Sequence, residues 1–395
     1  MSFYKKLLVV CLSFSLLLIA GCSSSSIVDA ERALIKQPPY AVALTNTLTS
    51  MVSSQYLSPT SASRIYAYTF LAAREGFLVD NKVEDAVGAS VIVAKELFFD
   101  VPALVKELDT LLYRYNTSNI SEVSKEVAKK VILKSREDGY AQGVYTFKRV
   151  EPNKIYGWES TGMLRLPFLD PDFGKVKLAS GSESCDIPPV DYQRVEGEVR
   201  EMFDNFSYEN AASDNVLLFL AGSATPTPPG QMLLISSNLA VRSKLSEEEA
   251  LTFLSTVAMA VFEAGVSVWR EKDEHGLARP ETLYRKLTGK EVLLPRETPA
   301  HPAYPSGHSG FSGAAMEVIE RFFGKDVELI ASAPEDLAAP SLVVKFSSPS
   351  DLMKSVNKSR VDAGFHYPLD VEMGERLGRC VGGKVYEYLE GGKGL

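Results

Sequence analysis

Signals that start helices recur along almost the whole of this chain. Ser58-Pro59 joins a capping hydroxyl to a proline suited to a first turn. Behind it Ile65, Tyr68, Leu71 and Ala72 fall on one helical face. Ser121 opens another such segment, where Val123, Val127 and Val131 recur every four residues. Ser246 with Glu249 makes a capping box ahead of an apolar run from Ala250 to Trp269. The run 310–323 keeps the helical period. Pro368, with an acid in the first turn, starts a last helix that reaches about Leu389. The pattern predicts an all-α fold, a packed helical bundle. With 395 residues, 45% of them hydrophobic, the chain can bury a large core.

Two stretches interrupt the pattern. Residues 151–190 carry Pro152, Pro167, Pro171, Pro188 and Pro189 among many glycines, and residues 222–230 read GSATPTPPG. Both read as loops, which either line a site or merely connect helices. Residues 325–355 read as an insertion with a short strand at Leu342–Phe346. The expected organisation is an N-terminal helical part over 41–250 with Pro-rich loops, and a C-terminal helical bundle over 251–390. The two belong to one compact body.

The first 22 residues have a different character. Lys5-Lys6 precede an apolar stretch from Leu7 to Ile19, and Ile19-Ala20-Gly21-Cys22 resembles a bacterial lipobox. This predicts a lipoprotein signal peptide over 1–22, a lipid on Cys22 and a flexible tether over 23–40. Ser23 resembles the residue that permits sorting to the outer membrane. The expected location is the bacterial cell envelope, lipid-anchored at the outer membrane and facing the periplasm. No later stretch reads as long and apolar enough to span a bilayer, so the membrane is expected to be a partner only through the lipid. Cys11 leaves with the signal, and Cys185 and Cys380 remain, with their pairing open. The net charge of −8 and the lack of a basic run speak against nucleic acid as a partner.

Three short runs near the C-terminus carry the chemistry. The first holds Lys272, Arg279 and Pro280, the second is Pro305-Ser306-Gly307-His308, and the third holds Ser359, Arg360, His366 and Asp370. Seven residues are two helical turns, so Lys272 and Arg279 are expected on one side of a single helix that Pro280 ends or bends. Alone, such a pair also marks a solvated face. Trp269, three residues earlier, also reads as a core aromatic. Ser306-Gly307 sits just before a helix, where unpaired N–H groups favour an anion, though the same dipeptide makes ordinary caps. His308 stands where it can move a proton. Arg360 offers a planar fork of donors. Asp370, four residues past His366, can accept the second ring N–H and fix the tautomer, or serve simply as a first-turn acid. The four histidines, at 275, 301, 308 and 366, all lie in the C-terminal third. Fixed cations, a hydroxyl, a glycine amide and imidazoles together suit a tetrahedral oxyanion such as phosphate or vanadate.

In this combination the chain resembles the superfamily of type 2 phosphatidic acid phosphatases, bacterial class A acid phosphatases and vanadium-dependent haloperoxidases. Its pattern K-x6-R-P, P-S-G-H and S-R-x5-H-x3-D is met without departure in spacing, and the motifs span residues 269–370. Weaker similarity at 57–77 and 246–272 points to the soluble bacterial haloperoxidase-like branch. The resemblance implies that Lys272, Arg279, Ser306, Gly307 and Arg360 hold the oxyanion. His366 would be the vanadate ligand in a peroxidase or the phosphorylated nucleophile in a phosphatase, with His308 the general acid-base. Trp269 matches an aromatic of chloroperoxidase-type sites. His301 matches bromoperoxidase-type sites and tilts the expectation toward bromide or iodide.

Three functions follow as expectations. The first is a vanadium-dependent haloperoxidase, with vanadate as cofactor and hydrogen peroxide and halide as substrates. The second is a periplasmic acid phosphatase needing no cofactor, acting on a phosphomonoester or lipid phosphate through a phosphohistidine at His366. The third is a non-catalytic anion-binding lipoprotein.

Overall fold

In the computed structural model, residues 38–98, 102–117, 119–140, 155–161, 166–213, 226–332 and 343–392 are described. The lipobox, Cys22 and most of the tether lie outside them. Residues 39–395 form one compact unit built almost wholly of helices. In chain order these are α1 (Tyr40–Ser54), α2 (Pro59–Asp80), α3 (Val83–Leu97), α4 (Pro102–Arg114), α5 (Glu122–Glu137), α6 (Tyr192–Asp204) and α7 (Tyr208–Ser213). Then come α8 (Thr227–Arg242), α9 (Glu247–His275), α10 (Pro280–Thr288), α11 (Gly307–Phe323), α12 (Pro349–Asp362) and α13 (Pro368–Glu390). Between α11 and α12, strands β1 (Leu329–Ser332) and β2 (Val343–Phe346) pair antiparallel, with Leu329 opposite Phe346.

The expected starts are where the capping chemistry put them. Ser58 accepts from Ser61 N–H, Ser121 from Ser124 N–H, and Ser246 with Glu249 completes a capping box. α9 is the axle of the bundle, packed against α2, α11 and α13. It corrects one expectation, because an 18-residue window within it reaches a hydropathy of 1.7, enough for a membrane span. That window is 94% buried among the helices around it, so a core position accounts for its apolarity.

Two further expectations are corrected. The segment 222–230 does not stay a loop. From Thr227 onward it is the first turn of α8, where two prolines are tolerated because first-turn N–H groups have no helical partner. The insertion at 325–355 also ends early, since Ser348 caps α12, which begins at Pro349.

α11 and α13 lie unusually close. Gly374, Gly378 and Gly382 repeat every four residues on α13. A Cβ on Gly374 would stand 2.5 Å from Ser306 O, one on Gly382 2.5 Å from Ala314 O, and one on Gly378 would overlap Gly310 O. Side chains here would force the helices apart. Cys185, just after the short 3-10 turn Ser182–Ser184, is disulfide-bonded to Cys380 on α13. The described parts of the loop before it run across the ends of α9 and α10. Trp158 N donates to Gly276 O, and Leu169 N to Ala300 O.

Candidate active site

Lys272 lies in the last turn of α9, which stops at Gly276 in the left-handed conformation. Arg279 is not on that helix. It is the extended N-cap residue of α10, with Pro280 in the first turn, so the expectation of one continuous helix fails. The proline opens the next helix instead of ending this one. The two cations nonetheless converge, because the segment 299–303 receives both. Lys272 Nζ donates to Pro302 O at 2.6 Å and Ala303 O at 2.9 Å. Arg279 Nε donates to His301 O at 2.9 Å and its NH2 to Pro299 O at 3.3 Å.

The second run caps α11. Ser306 Oγ accepts from Ser309 N at 3.4 Å and Ser309 Oγ at 3.0 Å, which leaves its own O–H to donate. Gly307 begins the helix. A Cβ there would make only ordinary contact with Trp269, at 3.6 Å, so packing does not demand glycine. What the position offers is an N–H at the positive end of a helix.

The third run closes on the other two. Arg360 lies in the last turn of α12, and its carbonyl accepts from Phe365 N at 3.1 Å and His366 N at 3.3 Å, which folds the six-residue spacing into a tight return. Arg360 NH1 lies 3.3 Å from His308 Nε2. Arg279 NH1 donates to Phe365 O at 2.8 Å and lies 3.0 Å from His366 Nε2. Ser306 N donates to Asp370 O at 2.9 Å, tying α11 to the start of α13.

These contacts fix tautomers. A guanidinium only donates, so His366 Nε2 must accept and the ring proton sits on Nδ1. Nδ1 then donates to Asp370 Oδ2 at 2.9 Å. The same logic makes His308 Nε2 an acceptor from Arg360. His301 Nδ1 accepts from Arg279 NH2 at 3.1 Å, which outweighs its longer 3.3 Å approach to Pro302 O.

Burial and mutual repulsion set the charges. Lys272, Arg279, Arg360, His366 and Asp370 are all buried. Burial, then Arg279, pulls the Lys272 ammonium well below its usual range. Burial lowers Arg279 to about 10. Burial followed by Arg279 and Lys272 holds His366 well below the usual imidazole range, which keeps it neutral. His301 is pushed the same way by enclosure and by the same two cations, although part of its surface stays accessible. Burial raises Asp370 to about 7 against the pull of Lys272 and Arg279.

Trp269 is both core aromatic and site wall. Its Nε1 donates to Leu169 O at 3.0 Å, and its ring centre lies 5.0 Å from that of His301. The fourth histidine, His275, stands apart, beside Glu271 and Tyr304. Two contributors were not expected from sequence. Tyr367 O–H donates to Ala278 O at 2.9 Å, fixing the residue before Arg279. The carbonyls of 299–303, which hold the cations, carry no side-chain signature at all.

Residues 291–391 match the family described as the VCPO second helical-bundle domain. The whole fold is similar to a solved structure described as the first bacterial vanadium-dependent iodoperoxidase, with TM-score 0.75 and 21% identity over 87% of this chain and 94% of that one. The family match takes in the second and third runs of the site, from Pro305 to Asp370. An apo bacterial vanadium-dependent chloroperoxidase also aligns, with TM-score 0.68 and 16% identity over 85% of this chain and 94% of that one. Its holo form aligns with the same score and identity over 85% and 93%. At these identities the likeness establishes the helical fold alone. Among curated protein sequences none matches.

Proposed function

We propose that this protein is a member of the vanadium haloperoxidase and phosphatidic acid phosphatase superfamily and acts as a vanadium-dependent haloperoxidase, oxidising halide with hydrogen peroxide. The observation that carries the reading is the convergence of Arg279 and Arg360, from separate stretches, onto the imidazoles of His366 and His308, with Lys272 held beside Arg279 by the same 299–303 segment. The donor set fits vanadate. Buried cations, the Ser306 hydroxyl and the first N–H groups of α11 suit oxyanion oxygens, and His366 Nε2, which accepts from Arg279 here, is the nitrogen that would bind vanadium. Bound vanadate would supply a Lewis-acidic centre that polarises peroxide without changing oxidation state. Asp370 holds the His366 ring, Lys272 and the two arginines stabilise negative charge, and His308 moves a proton at Nε2.

His301, its ring tilted against that of Trp269, places an imidazole at the wall of the site. It supports bromide or iodide as the halide, and the likeness to an iodoperoxidase points the same way. Protein soaked in orthovanadate should brominate or iodinate an organic dye when given peroxide and halide. Bound vanadate with no turnover between about pH 5 and 8 sinks the reading.

The tautomer of His366 equally suits a phosphorylated nucleophile, which keeps the phosphatase as the second reading. Hydrolysis of a chromogenic phosphate ester by vanadate-free protein, robust and lost in His366→Ala, would assign it. Anion binding that survives His308→Ala, with no chemistry in wild type, would leave only a binding protein. Lipid attachment at Cys22 and a cell-envelope location belong to the same proposal, supported by the lipobox-like run after an apolar segment. Cys22→Ala should then lose lipid labelling.

A further inference from the structure

The segment 299–303 has no regular structure, yet its carbonyls hold the two cations that no acid among the described residues touches directly. Pro299 O and His301 O receive Arg279, and Pro302 O and Ala303 O receive Lys272. An irregular strap can aim carbonyls only if it is itself pinned. Its far end is pinned by Ala303 N donating to Leu277 O at 2.9 Å, and its middle by Leu169 N donating to Ala300 O at 2.9 Å. Its near end is pinned by side chains. Thr298 Oγ1 donates to Glu281 Oε1 at 2.6 Å. That uses its only proton, so Thr161, whose Oγ1 lies 2.7 Å away, must donate to Thr298. Thr298 is buried, and Glu281 sits in the first turn of α10, two residues past Arg279.

We infer that Thr298 and Glu281 are positioning residues for oxyanion binding, acting through the strap that aims Lys272 and Arg279. The inference rests on the anion-binding half of the function proposed above, but not on halide oxidation. It extends the site to residues that touch no oxyanion. Metal-site residues of this indirect kind typically contribute ten- to a hundred-fold in affinity, roughly the scale expected here.

Charge and position make opposite predictions for Glu281. As a negative charge near Arg279 it opposes an incoming anion, so removing it should tighten binding if charge were its only effect. As the anchor of Thr298 its removal should loosen binding. Binding of inorganic phosphate and of orthovanadate, followed by calorimetry on the full chain, separates the two. Thr298→Val and Glu281→Met should each weaken binding about tenfold, and the double variant should be no weaker than either single one. Thr298→Ser should restore affinity to within about threefold, because it restores the hydroxyl. Should Thr298→Val not fold, Glu281→Met carries the test alone through its sign. Tighter or unchanged binding in Glu281→Met, unchanged binding in a folded Thr298→Val, or additive losses in the double variant overturns the inference and leaves the site reading intact. A wild type that binds neither phosphate nor vanadate overturns both.

Discussion

Burial and Arg279 together hold Lys272 in a pocket that disfavours its charged form. A bound dianion reverses that preference, so anion binding should draw protons onto the protein. Phosphate titrations in buffers of different ionisation enthalpy should show net proton uptake that begins at a lower pH than an ordinary lysine would give. Lys272→Met should abolish the uptake and weaken binding roughly tenfold or more, the worth of a charge-assisted hydrogen bond. Asp370 gives a second pH signature. Its carboxyl is raised from 3.8 to about 7 by burial, so the unfolded chain releases this proton first. Below the lower value both states are protonated and nothing is lost. Between the two values the folded state loses ground as pH rises, and above the upper one the loss is complete. Asp370→Asn should therefore gain on wild type in thermal stability as pH climbs through that window. The identities of these groups were legible because the chemistry demands particular residue types at short spacing. Their placement was less so. Gly276 and Pro280 together spell the end of one helix and the start of another, a signal outweighed by the two-turn spacing of Lys272 and Arg279. The strap was invisible, since backbone carbonyls leave no mark in side-chain patterns.

Helices were readable where a capping residue preceded a one-sided apolar pattern, as for α2, α5 and α9, or where a proline and a first-turn acid opened one, as for α13. α8 escaped because it is buried on nearly all sides and opens on Thr-Pro-Pro-Gly, a string that usually turns. α12 escaped although Ser348, Pro349 and Asp351 form a good start, because its charged surface dilutes the apolar period. The glycines of α13 were the largest omission at this scale. Their four-residue repeat lets α13 approach the backbone of α11, which fixes Ser306 and His308 against His366 and Asp370. Gly378→Ala puts a methyl group into the carbonyl of Gly310. It should cost about 1–3 kcal/mol, read as a lower urea midpoint, and should weaken phosphate binding because the two halves of the site part. Ser246→Ala, at the far end of α9, should cost about 1 kcal/mol through loss of its cap while leaving phosphate affinity unchanged. Equal effects of the two substitutions on affinity would contradict a seam that positions the site.

At the scale of the molecule, sequence composition indicated a large helical body, but not how its distant parts are fastened. Cys185 and Cys380 are 195 residues apart, a separation from which no pairing can be read, and the fold brings them into one disulfide. It ties the Pro-rich segment before α6 to the helix carrying Asp370. Closing so long a loop restricts the unfolded chain strongly, which on the entropic account stabilises the native state by roughly 2–5 kcal/mol. The double variant Cys185→Ser/Cys380→Ser should therefore melt roughly 5 °C or more below wild type, and reductant should reproduce the shift in wild type only. Function should respond far less. The disulfide-bearing segment reaches the site region through Pro188 O, which accepts from Tyr304 O–H, whereas the cations are aimed by the carbonyls of 299–303. Phosphate affinity well below the melting temperature should stay within about twofold of wild type. A large loss of affinity in the folded double variant would mean that the bridge itself shapes the oxyanion pocket, through Tyr304 and the cap of α11 that follows it.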